Sequence, residues 1–392
     1  MDNISNLSTL CQCLRLLDIG QYRSDLDDHR AKQLFVGSTI QLHVVGQLLN
    51  LRSYKQIAEQ LHAHKTLRKL TKLESISASA LSRKTPKLCT SSLQALFVGL
   101  VKQIQALQQG KSPRALGKLC LVDATELKLP LHLSGWAYCS SSKQGVKMHT
   151  RVVVDRSPTV FPDRIIASTA DVNETEVAVE LVTDPDAIHV MDRGYQKHEH
   201  FEKWTEQNLL FVCRIRESTR WIVRRDYRIS KADKSFITLD QKVILNKCKV
   251  PVRLVVFEDE HGRCYHVVTN CWNRSAVEIA QIYKQRWLIE LFFKWMKQHL
   301  RLIQVFSYSP EGIWNQMYLA LIAFALCRLI HLRTQTSKTV WDVLQWIRIY
   351  AHAQWRVFQE ALHRKPTRTS RGRQVVDRPP KEEQVLKKII VK

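Results

Sequence analysis

The chain has 392 residues, of which 60 are Lys or Arg and 36 are Asp or Glu, so its formal net charge is +24. Hydrophobic residues make up 45% of the chain and glycine only 12 positions, which excludes a disordered, collagen-like or low-complexity protein. A positive excess of this size destabilises a folded protein unless a polyanion screens it, and nucleic acid is the commonest such partner. A ribosome-associated or membrane-surface protein is the other class that the charge allows.

The cysteines and the most apolar stretch indicate the compartment. The ten cysteines form no CxxC pair, and those in apolar strings, such as Cys120 and Cys213, are predicted to be reduced buried thiols. No charged-then-apolar signal peptide begins the sequence. Asn315 and Arg328 interrupt the apolar stretch 314–330, which leaves it too short for a membrane span. We therefore predict a cytoplasmic protein in which this stretch is a buried core helix.

The first 108 residues carry apolar side chains at helical spacing. Ser53 is a candidate N-cap for the helix that follows it, and a short polar and then basic helix is predicted within 75–86. Helix, turn and short basic helix is the outline of a DNA-reading unit, in which the second helix enters the major groove. A plain helical bundle with a solvated basic face is the alternative. The string QQGKSPRA (108–115) is predicted to be a linker.

Strands and helices alternate beyond the linker, which indicates an α/β sheet. We predict strands at 119–123, 147–155, 187–192 and 209–215, and helices at 174–183, 197–207, 275–299, 311–333 and 339–362. Residues 216–273 read as short strands separated by turns. From residue 356 the chain has eleven basic and four acidic residues and three prolines, so we expect this tail to be mobile until it binds a partner.

A narrow charged stripe runs along the predicted helix 275–299. Tyr283, Arg286, Glu290, Lys294 and Lys297 follow one another at steps of three or four residues and therefore share one face of the helix. The residues between them are mostly large and apolar, so the rest of the helix is predicted to be buried. Ion pairs of Glu290 with Arg286 and Lys294 on a solvated face would explain the stripe without any function. A single carboxylate among cations is also what a metal ligand beside a phosphate-binding surface requires.

Asp123 and Asp192 each close a predicted strand, in the strings LCLVD and AIHVMD. In an open α/β sheet, ligands bind at the carboxyl ends of the strands. A single strand-end aspartate is more often a turn or cap residue. Two such aspartates, together with Glu290 on a helix bordered by cations, indicate instead a candidate active site.

The order Asp123, Asp192, Glu290 resembles the catalytic carboxylates of the DDE transposases of bacterial insertion sequences. The string VDAT (122–125) is similar to that family's first-Asp motif, and MDRGY (191–195) is similar to its second. The spacing is also similar to the Y-R-E-K signature of that family's IS-four group, at Tyr283, Arg286, Glu290 and Lys297.

The resemblance covers about residues 30–335 and implies a fold. That fold is a ribonuclease-H-like mixed α/β sheet with flanking helices, interrupted by a β-rich insertion and accompanied by an N-terminal helical domain. We predict an N-terminal helical DNA-binding domain at 1–108, the first part of the catalytic core at 115–215, the β-rich insertion at 216–273, the second part of the core at 274–335, and a C-terminal helix with a basic tail at 336–392.

By this resemblance, Asp123, Asp192 and Glu290 are the catalytic residues and the ligands of Mg²⁺, which Mn²⁺ is expected to replace. Two such ions about 4 Å apart activate the attacking water and stabilise the leaving oxygen in phosphodiester cleavage. Mg²⁺ prefers oxygen ligands, and in this scheme Asp123 bridges the two ions while Asp192 and Glu290 hold one each. Without metal the three carboxylates repel one another, which raises their affinity for protons.

The resemblance also assigns contacts to DNA. Tyr283, Arg286 and Lys297 are expected to hold phosphates near the transposon end. Trp287 would stack on a flipped base if cleavage passes through a DNA hairpin, and packing in the core is the alternative for this residue. Two further cationic candidates for DNA contact, for which surface solubility is the alternative, are Arg193 and Lys294.

The predicted function is that of a cut-and-paste transposase. It would bind terminal inverted repeats, cleave DNA at the transposon ends and join the freed 3′-hydroxyl to target DNA, as a homodimer in a synaptic complex in the bacterial nucleoid. Two alternatives remain: a catalytically inactive, transposase-derived DNA-binding regulator, and a structure-specific nuclease on the same core.

Overall fold

The computed structural model describes residues 7–22, 28–29, 31–108, 116–130, 135–140, 143–154, 160–300 and 306–364. Up to Gln108 the described chain is mainly helical, and its α-helices are α1 (Thr9–Arg15), α2 (Val36–Leu48), α3 (Tyr54–Ala63), α4 (Lys65–Thr71), α5 (Ala78–Lys84) and α6 (Thr90–Gln108). Serine side chains begin three of them, because Ser8, Ser53 and Ser77 each accept a hydrogen bond from the backbone N–H three residues on. The predicted linker lies mostly outside the described residues.

A mixed sheet follows the N-terminal helices. Its strands are β1 (Leu119–Lys128), β2 (Tyr138–Ser140), β3 (Lys143–Val154), β4 (Phe161–Thr169), β5 (Ile188–Met191), β6 (Leu210–Arg214), β7 (Trp221–Asp226), β8 (Ile237–Leu245), β9 (Val252–Glu258) and β10 (Cys264–Thr269). They lie in the order β2-β3-β1-β5-β6-β10-β9-β8-β7, and β4 also pairs with β3. The pairs β1/β5 and β5/β6 are parallel, whereas the other pairs are antiparallel.

The remaining helices flank and extend this sheet. They are α7 (Glu174–Leu181), α8 (His198–Glu206), α9 (Ala276–Lys284), α10 (Trp287–His299), α11 (Pro310–Arg333), α12 (Val340–Ile349) and α13 (Trp355–His363). The mixed α/β sheet with flanking helices confirms the predicted fold class. The strands of the predicted insertion, β7 to β10, continue the same sheet, since β10 pairs with β6 through Thr269 and Val212.

Helix α11 is the central helix of the fold. It is long and apolar enough to cross a membrane, yet 89% of its most apolar 18-residue window is buried inside the protein. It contacts the N-terminal helices α2 and α6, the strand β4 and the helix α12. The prediction of a buried core helix at 314–330 is therefore confirmed.

The parallel pairing of β1 with β5 ends abruptly. Its last register pair joins Val122 to Met191, so Asp123 and Asp192 are the next residue on each strand. The prediction that β1 ends at Asp123 was wrong, because β3 pairs with β1 along its whole length, as far as Lys128. Beyond the two aspartates, β1 therefore keeps β3 as its partner on one side but has lost β5 on the other.

Two predicted helices were also wrong, because each is two helices. The chain predicted as one helix at 275–299 tightens between α9 and α10, where the backbone N–H of Arg286 bonds to Tyr283 and that of Ile289 bonds to Arg286. These three-residue hydrogen bonds replace the four-residue bonds of an α-helix. Only Tyr283 of the predicted stripe therefore lies in α9, while Arg286 stands in the turn.

The second divided helix was predicted at 339–362 and breaks between α12 and α13. The carbonyls of Ala351 and Ala353 accept hydrogen bonds from the backbone N–H groups of Leu10 and Thr9 at 3.0 and 2.8 Å. These bonds give partners to N–H groups in the first turn of α1, which no helical carbonyl reaches. A contact between the chain's N-terminal helix and its C-terminal helices thus takes the place of a continuous helix. The basic tail beyond residue 364 lies outside the described residues.

Asn315 on α11 joins the N-terminal helices to the core. Its side chain is fully buried, donates to the carbonyls of Thr85 and Leu88 at 3.0 and 2.9 Å, and accepts from the hydroxyl of Thr90 at 2.7 Å. The two carbonyls lie in the segment 85–88 that follows α5. One side chain thus supplies hydrogen-bond partners to backbone groups that are buried away from water.

We predict that Asn315→Ala lowers the free energy of unfolding by about 2–4 kcal/mol, because it leaves buried carbonyls unpaired and opens a cavity. The measurement is urea denaturation, with Gln207→Ala as the control, since Gln207 has an exposed side chain. Equal midpoints for the two variants would show that Asn315 does not hold the N-terminal helices in place.

Candidate active site

Asp123 and Asp192 are neighbours because of the sheet register. Each follows the last pair of the parallel β1/β5 ladder, and adjacent strands in a sheet lie about 4.8 Å apart. Asp123 accepts a hydrogen bond from the backbone N–H of Ala124 at 2.8 Å. Asp192 is followed by a short 3₁₀ turn, Arg193–Tyr195, that turns the chain away from the sheet.

Two side chains near the turn between α9 and α10 connect Glu290 and the two aspartates. The Arg286 guanidinium donates to Asp123 Oδ2 at 3.4 Å and to the Glu290 carboxylate. The Tyr283 hydroxyl donates to Asp192 Oδ1 at 3.3 Å. Tyr283 and Arg286, which are three residues apart, therefore contact all three carboxylates between them. The three carboxylates themselves lie far apart in the sequence.

The charges at this site are unbalanced. The pKa of Asp123 is raised to about 6, chiefly by burial and to a smaller extent by the negative charges of Asp192 and Glu290, while the Ala124 N–H and Arg286 act in the opposite direction. Burial alone would lower the pKa of Arg286, but Tyr283 and the paired carboxylates raise it above its usual range. One guanidinium thus faces three acidic side chains and does not fully compensate them.

Two lysines of α10 face the same space. A cavity of about 500 Å³ is lined by Asp123, Ala124, Glu290, Phe293, Lys294, Lys297 and Gln298. Lys294 is exposed, whereas Lys297 is partly buried, which lowers its pKa despite the nearby charge of Glu126. The cavity therefore has carboxylates on one wall and ammonium groups on another, as a site for a metal-bound phosphate requires.

The predicted DNA contacts Trp287 and Arg193 lie at the border of the site. Trp287 is 59% exposed at the first residue of α10, so packing in the core does not explain it. Arg193 is exposed immediately after Asp192. Both are accessible to a ligand that approaches the carboxylates, and their contact with DNA stays a prediction.

Sequence reasoning assigned no role to two groups that the fold brings to the site. Tyr195 is fully buried, its hydroxyl has no hydrogen-bond partner among the described residues, and burial and the charges of Asp123 and Asp192 raise its pKa. Gln196 donates to Thr219 at 2.9 Å and accepts from the backbone N–H of Arg216 at 2.8 Å. Gln196 thereby fixes the loop after Asp192 to the turn that leads into β7. The MDRGY string contains Tyr195, but only the fold shows that its ring lies beneath the carboxylates.

The three carboxylates suit a divalent metal in chemistry but are not arranged as a finished metal site. Carboxylate oxygens are the ligands that Mg²⁺ prefers, and the nearby charges of Asp192 and Glu290 add to the effect of burial in raising the pKa of Asp123. Among the residues that the structure describes, no group of three or more His, Cys, Asp or Glu side chains is close enough together to hold a metal ion. Arg286 stands between Asp123 and Glu290 in this arrangement.

Asp123 makes stability depend on pH. Because its pKa is raised from the usual 3.8 to about 6, the folded protein binds its proton more tightly than the unfolded chain does. The free energy of unfolding contributed by this group is present below about pH 4, falls as the pH rises, and is lost above about pH 6.

We predict that Asp123→Asn, which removes the ionisable group, is more stable than the wild type at pH 7.5 by about 1–3 kcal/mol, with the difference closing at pH 4. Urea denaturation in metal-free buffer measures it, with the exposed Asp186→Asn as the control. A variant that is less stable than the wild type at both pH values would contradict the assigned cost of the Asp123 charge.

Comparisons with known proteins identify the family of the chain. The sequence model of a family described as "Transposase DDE domain" matches residues 115–326, which contain Asp123, Asp192 and Glu290. A protein named "Probable transposase for insertion sequence element IS5377" from Geobacillus stearothermophilus is 30% identical over 237 residues, covering 59% of this chain and 62% of that protein. The transposase-named protein y4zB of Sinorhizobium fredii is 31% identical over 221 residues, covering 54% of this chain and 60% of that protein.

The chain thus spans about three fifths of the length of these two relatives. The family model covers more than half of this chain, and the matched range includes the three parallel strands β1, β5 and β6, the β7–β10 extension and helix α10. The IS-four group and its Y-R-E-K signature stay a prediction, whereas the predicted relationship to the DDE transposases is confirmed, and the chain belongs to the family of transposases with a DDE domain.

Proposed function

We propose that the protein cleaves DNA at the ends of a transposon and joins those ends to target DNA, using Asp123, Asp192 and Glu290. The observation that carries the proposal is that Tyr283 at the end of α9 and Arg286 in the turn that follows together contact all three carboxylates, where the β1/β5 pairing ends. The other described ion pairs of the sheet, such as Arg151–Asp163 and Arg253–Asp240, join one acid to one base.

Asp123, Asp192 and Glu290 would hold Mg²⁺, or Mn²⁺ in its place. When bound, the metal supplies an activated oxygen nucleophile and stabilises the charge on the leaving oxygen. The protein's own groups position the DNA. Lys294 and Lys297 face the cavity beside the carboxylates and suit the phosphate to be cut. Burial of Asp123 keeps bulk water from screening these charges.

The two chemical steps use the same cavity. In the first, water attacks a phosphodiester at the transposon end and displaces the 3′-oxygen, which becomes a free 3′-hydroxyl. In the second, this hydroxyl attacks a target phosphodiester and displaces the target's own 3′-oxygen. The number of phosphodiester bonds is conserved in the second step, so positioning and charge stabilisation are what the protein must supply.

The remaining assignments complete the proposal. The N-terminal helical domain (1–108) would read the inverted repeats, and α4 has the exposed cations Lys65 and Lys69 for this purpose. The core (115–215 and 274–335), the β-rich extension (216–273) and the C-terminal region (336–392) would form one subunit of a homodimer that pairs two DNA ends. The net charge of +24 suits a protein that works in the nucleoid.

We predict that Asp123→Ala, Asp192→Ala and Glu290→Ala each reduce cleavage and strand transfer to background, because each removes an oxygen ligand or its charge. Binding of the same DNA should change little, since the DNA-facing cations remain. Gel assays on duplexes with the inverted repeats that flank its gene measure both, with the exposed Asp186→Ala and Glu206→Ala as controls.

The same assays separate the rival functions. A wild-type protein that binds these ends without nicking them in Mg²⁺ or Mn²⁺ is a DNA-binding regulator. A wild-type protein that cleaves but leaves no joined product is a nuclease. Full activity in all three alanine variants would exclude the assigned carboxylates.

Trp287 gives a second prediction. Stacking of a base on an aromatic ring contributes about 1–3 kcal/mol, so Trp287→Ala should slow end cleavage by about 5- to 150-fold while Trp287→Phe keeps most of the rate. Because Trp287 is exposed, the thermal unfolding midpoint should not fall. Trp272→Ala is the matched control, since Trp272 is also exposed, at 42%, and lies just after β10 in the β-rich extension. Equal rates for both variants would remove Trp287 from the site.

A further inference from the structure

Arg286 occupies the position between two of the three carboxylates. Its guanidinium pairs with Asp123 Oδ2 through one nitrogen, at 3.4 Å, and with the Glu290 carboxylate through another. The Arg286 side chain is 18% exposed, against 22% for Asp123 and 34% for Glu290, so the three groups are largely screened from water. A partly buried guanidinium between two carboxylates is held more firmly than an exposed ion pair.

The other cations of the cavity do not share this position. Lys294 and Lys297 line the same space, yet within the described chain neither forms an ion pair with Asp123 or Glu290. Among the described residues, the Arg286 guanidinium is therefore the cation that pairs with these two carboxylates.

A divalent cation would need the oxygens that Arg286 uses. Mg²⁺ binds carboxylate oxygens directly at about 2.1 Å, so it would compete with the Arg286 guanidinium for the lone pairs of these oxygens. Like charges so close together also repel strongly in a partly buried site. Metal binding by both Asp123 and Glu290 is thus favoured when the Arg286 side chain leaves at least one of them.

DNA offers Arg286 another partner. Phosphate oxygens accept the same paired N–H bonds as a carboxylate, and arginine is the residue best suited to them. Arg286 stands in the tightened turn between α9 and α10, where the helical bonding pattern is interrupted, and its neighbour Trp287 is exposed. A rotation of one side chain towards the solvent side of this turn would carry the guanidinium from the carboxylates to a phosphate.

We infer that Arg286 is an internal cation lock: it holds Asp123 and Glu290 in the free protein and releases them when a DNA phosphate takes its guanidinium. Duplex DNA and the divalent metal then bind cooperatively, so that the metal site forms only on DNA. This inference rests on the proposed function in that it takes these carboxylates as the metal ligands. By linkage, DNA must raise the affinity for metal by the same factor by which metal raises the affinity for DNA.

The test is calorimetric titration of Mn²⁺ into the full-length protein, alone and saturated with a mixed-sequence duplex of about 30 base pairs. For the wild type we expect DNA to raise the affinity for Mn²⁺ by about 5- to 150-fold. Arg286→Gln, which keeps the side chain's bulk without its charge, should bind Mn²⁺ at least about fivefold more tightly than the wild type without DNA, and DNA should add little.

Two further variants make the result specific. Arg286→Lys keeps a cation without the paired N–H geometry, so its affinity for Mn²⁺ without DNA should lie between those of the wild type and Arg286→Gln. Arg356→Gln is the matched control, because Arg356 also pairs with a glutamate four residues on, Glu360, but on the exposed helix α13. It should bind Mn²⁺ as the wild type does, and thermal unfolding checks that each variant is folded.

The outcomes separate this inference from the proposed function. The lock is overturned if folded Arg286→Gln binds Mn²⁺ no more tightly than the wild type does, both without DNA. This holds even if the wild type cleaves transposon ends. A folded Arg286→Lys that binds Mn²⁺ like Arg286→Gln also overturns the lock. Tighter binding by Arg286→Gln supports the lock even if the wild type proves to be a non-cleaving regulator, because the titration needs no turnover.

Discussion

The parallel register of β1 and β5 is the constraint on which the candidate site depends. Backbone hydrogen bonds fix Val122 opposite Met191, and the next residue on each strand is an aspartate. The register matters for each aspartate, because a shift of one residue in either strand would turn the aspartate of that strand towards the other face of the sheet. The hydrophobic residues that precede them, buried on both faces, hold the register, so the core of the sheet sets the distance between two carboxylates.

Glu290 depends on a different kind of support. Helix α10 is anchored by Phe292 and Trp295, whose rings lie 5.2 and 5.0 Å from the ring of Phe324 on the central helix α11. Helix α11 is in turn tied to the N-terminal helices through Asn315. The third carboxylate is thus positioned by helix packing, whereas the two aspartates are positioned by a strand ladder. A path of packed side chains thus leads from the N-terminal helices to the site.

The sequence allowed the fold class, the central helix and the candidate carboxylates to be predicted, because each has a local signal: alternating strands and helices, a long apolar run, or an acid at the end of an apolar string. The predictions that were wrong involve hydrogen bonds between distant parts of the chain. The break between α12 and α13 depends on Thr9 and Leu10, more than 300 residues away, and β1 continues past Asp123 because β3 pairs with it. The turn before Trp287 has no glycine or proline to mark it, and residues at helical spacing concealed it.

The position of Arg286 could not be predicted for a related reason. The sequence offered an Arg286–Glu290 pair on a solvated helix face and a phosphate contact as alternatives, but the structure shows the arginine partly buried against Asp123 as well. A surface pair four residues apart contributes little to stability and would leave Glu290 free to bind a metal. A guanidinium shared by two half-buried carboxylates does not leave Glu290 free. If the guanidinium moves away, the carboxylates lose their paired positive charge, and another cation must replace it. Arg286 is one positive charge beside three carboxylates, so one positive charge is too few for this cluster, and the charges of Asp192 and Glu290 add to burial in raising the pKa of Asp123. Replacing a single charge by a divalent ion would relieve the excess only if the displaced guanidinium found an anion of its own, and a protein with a net charge of +24 has a surface that attracts one.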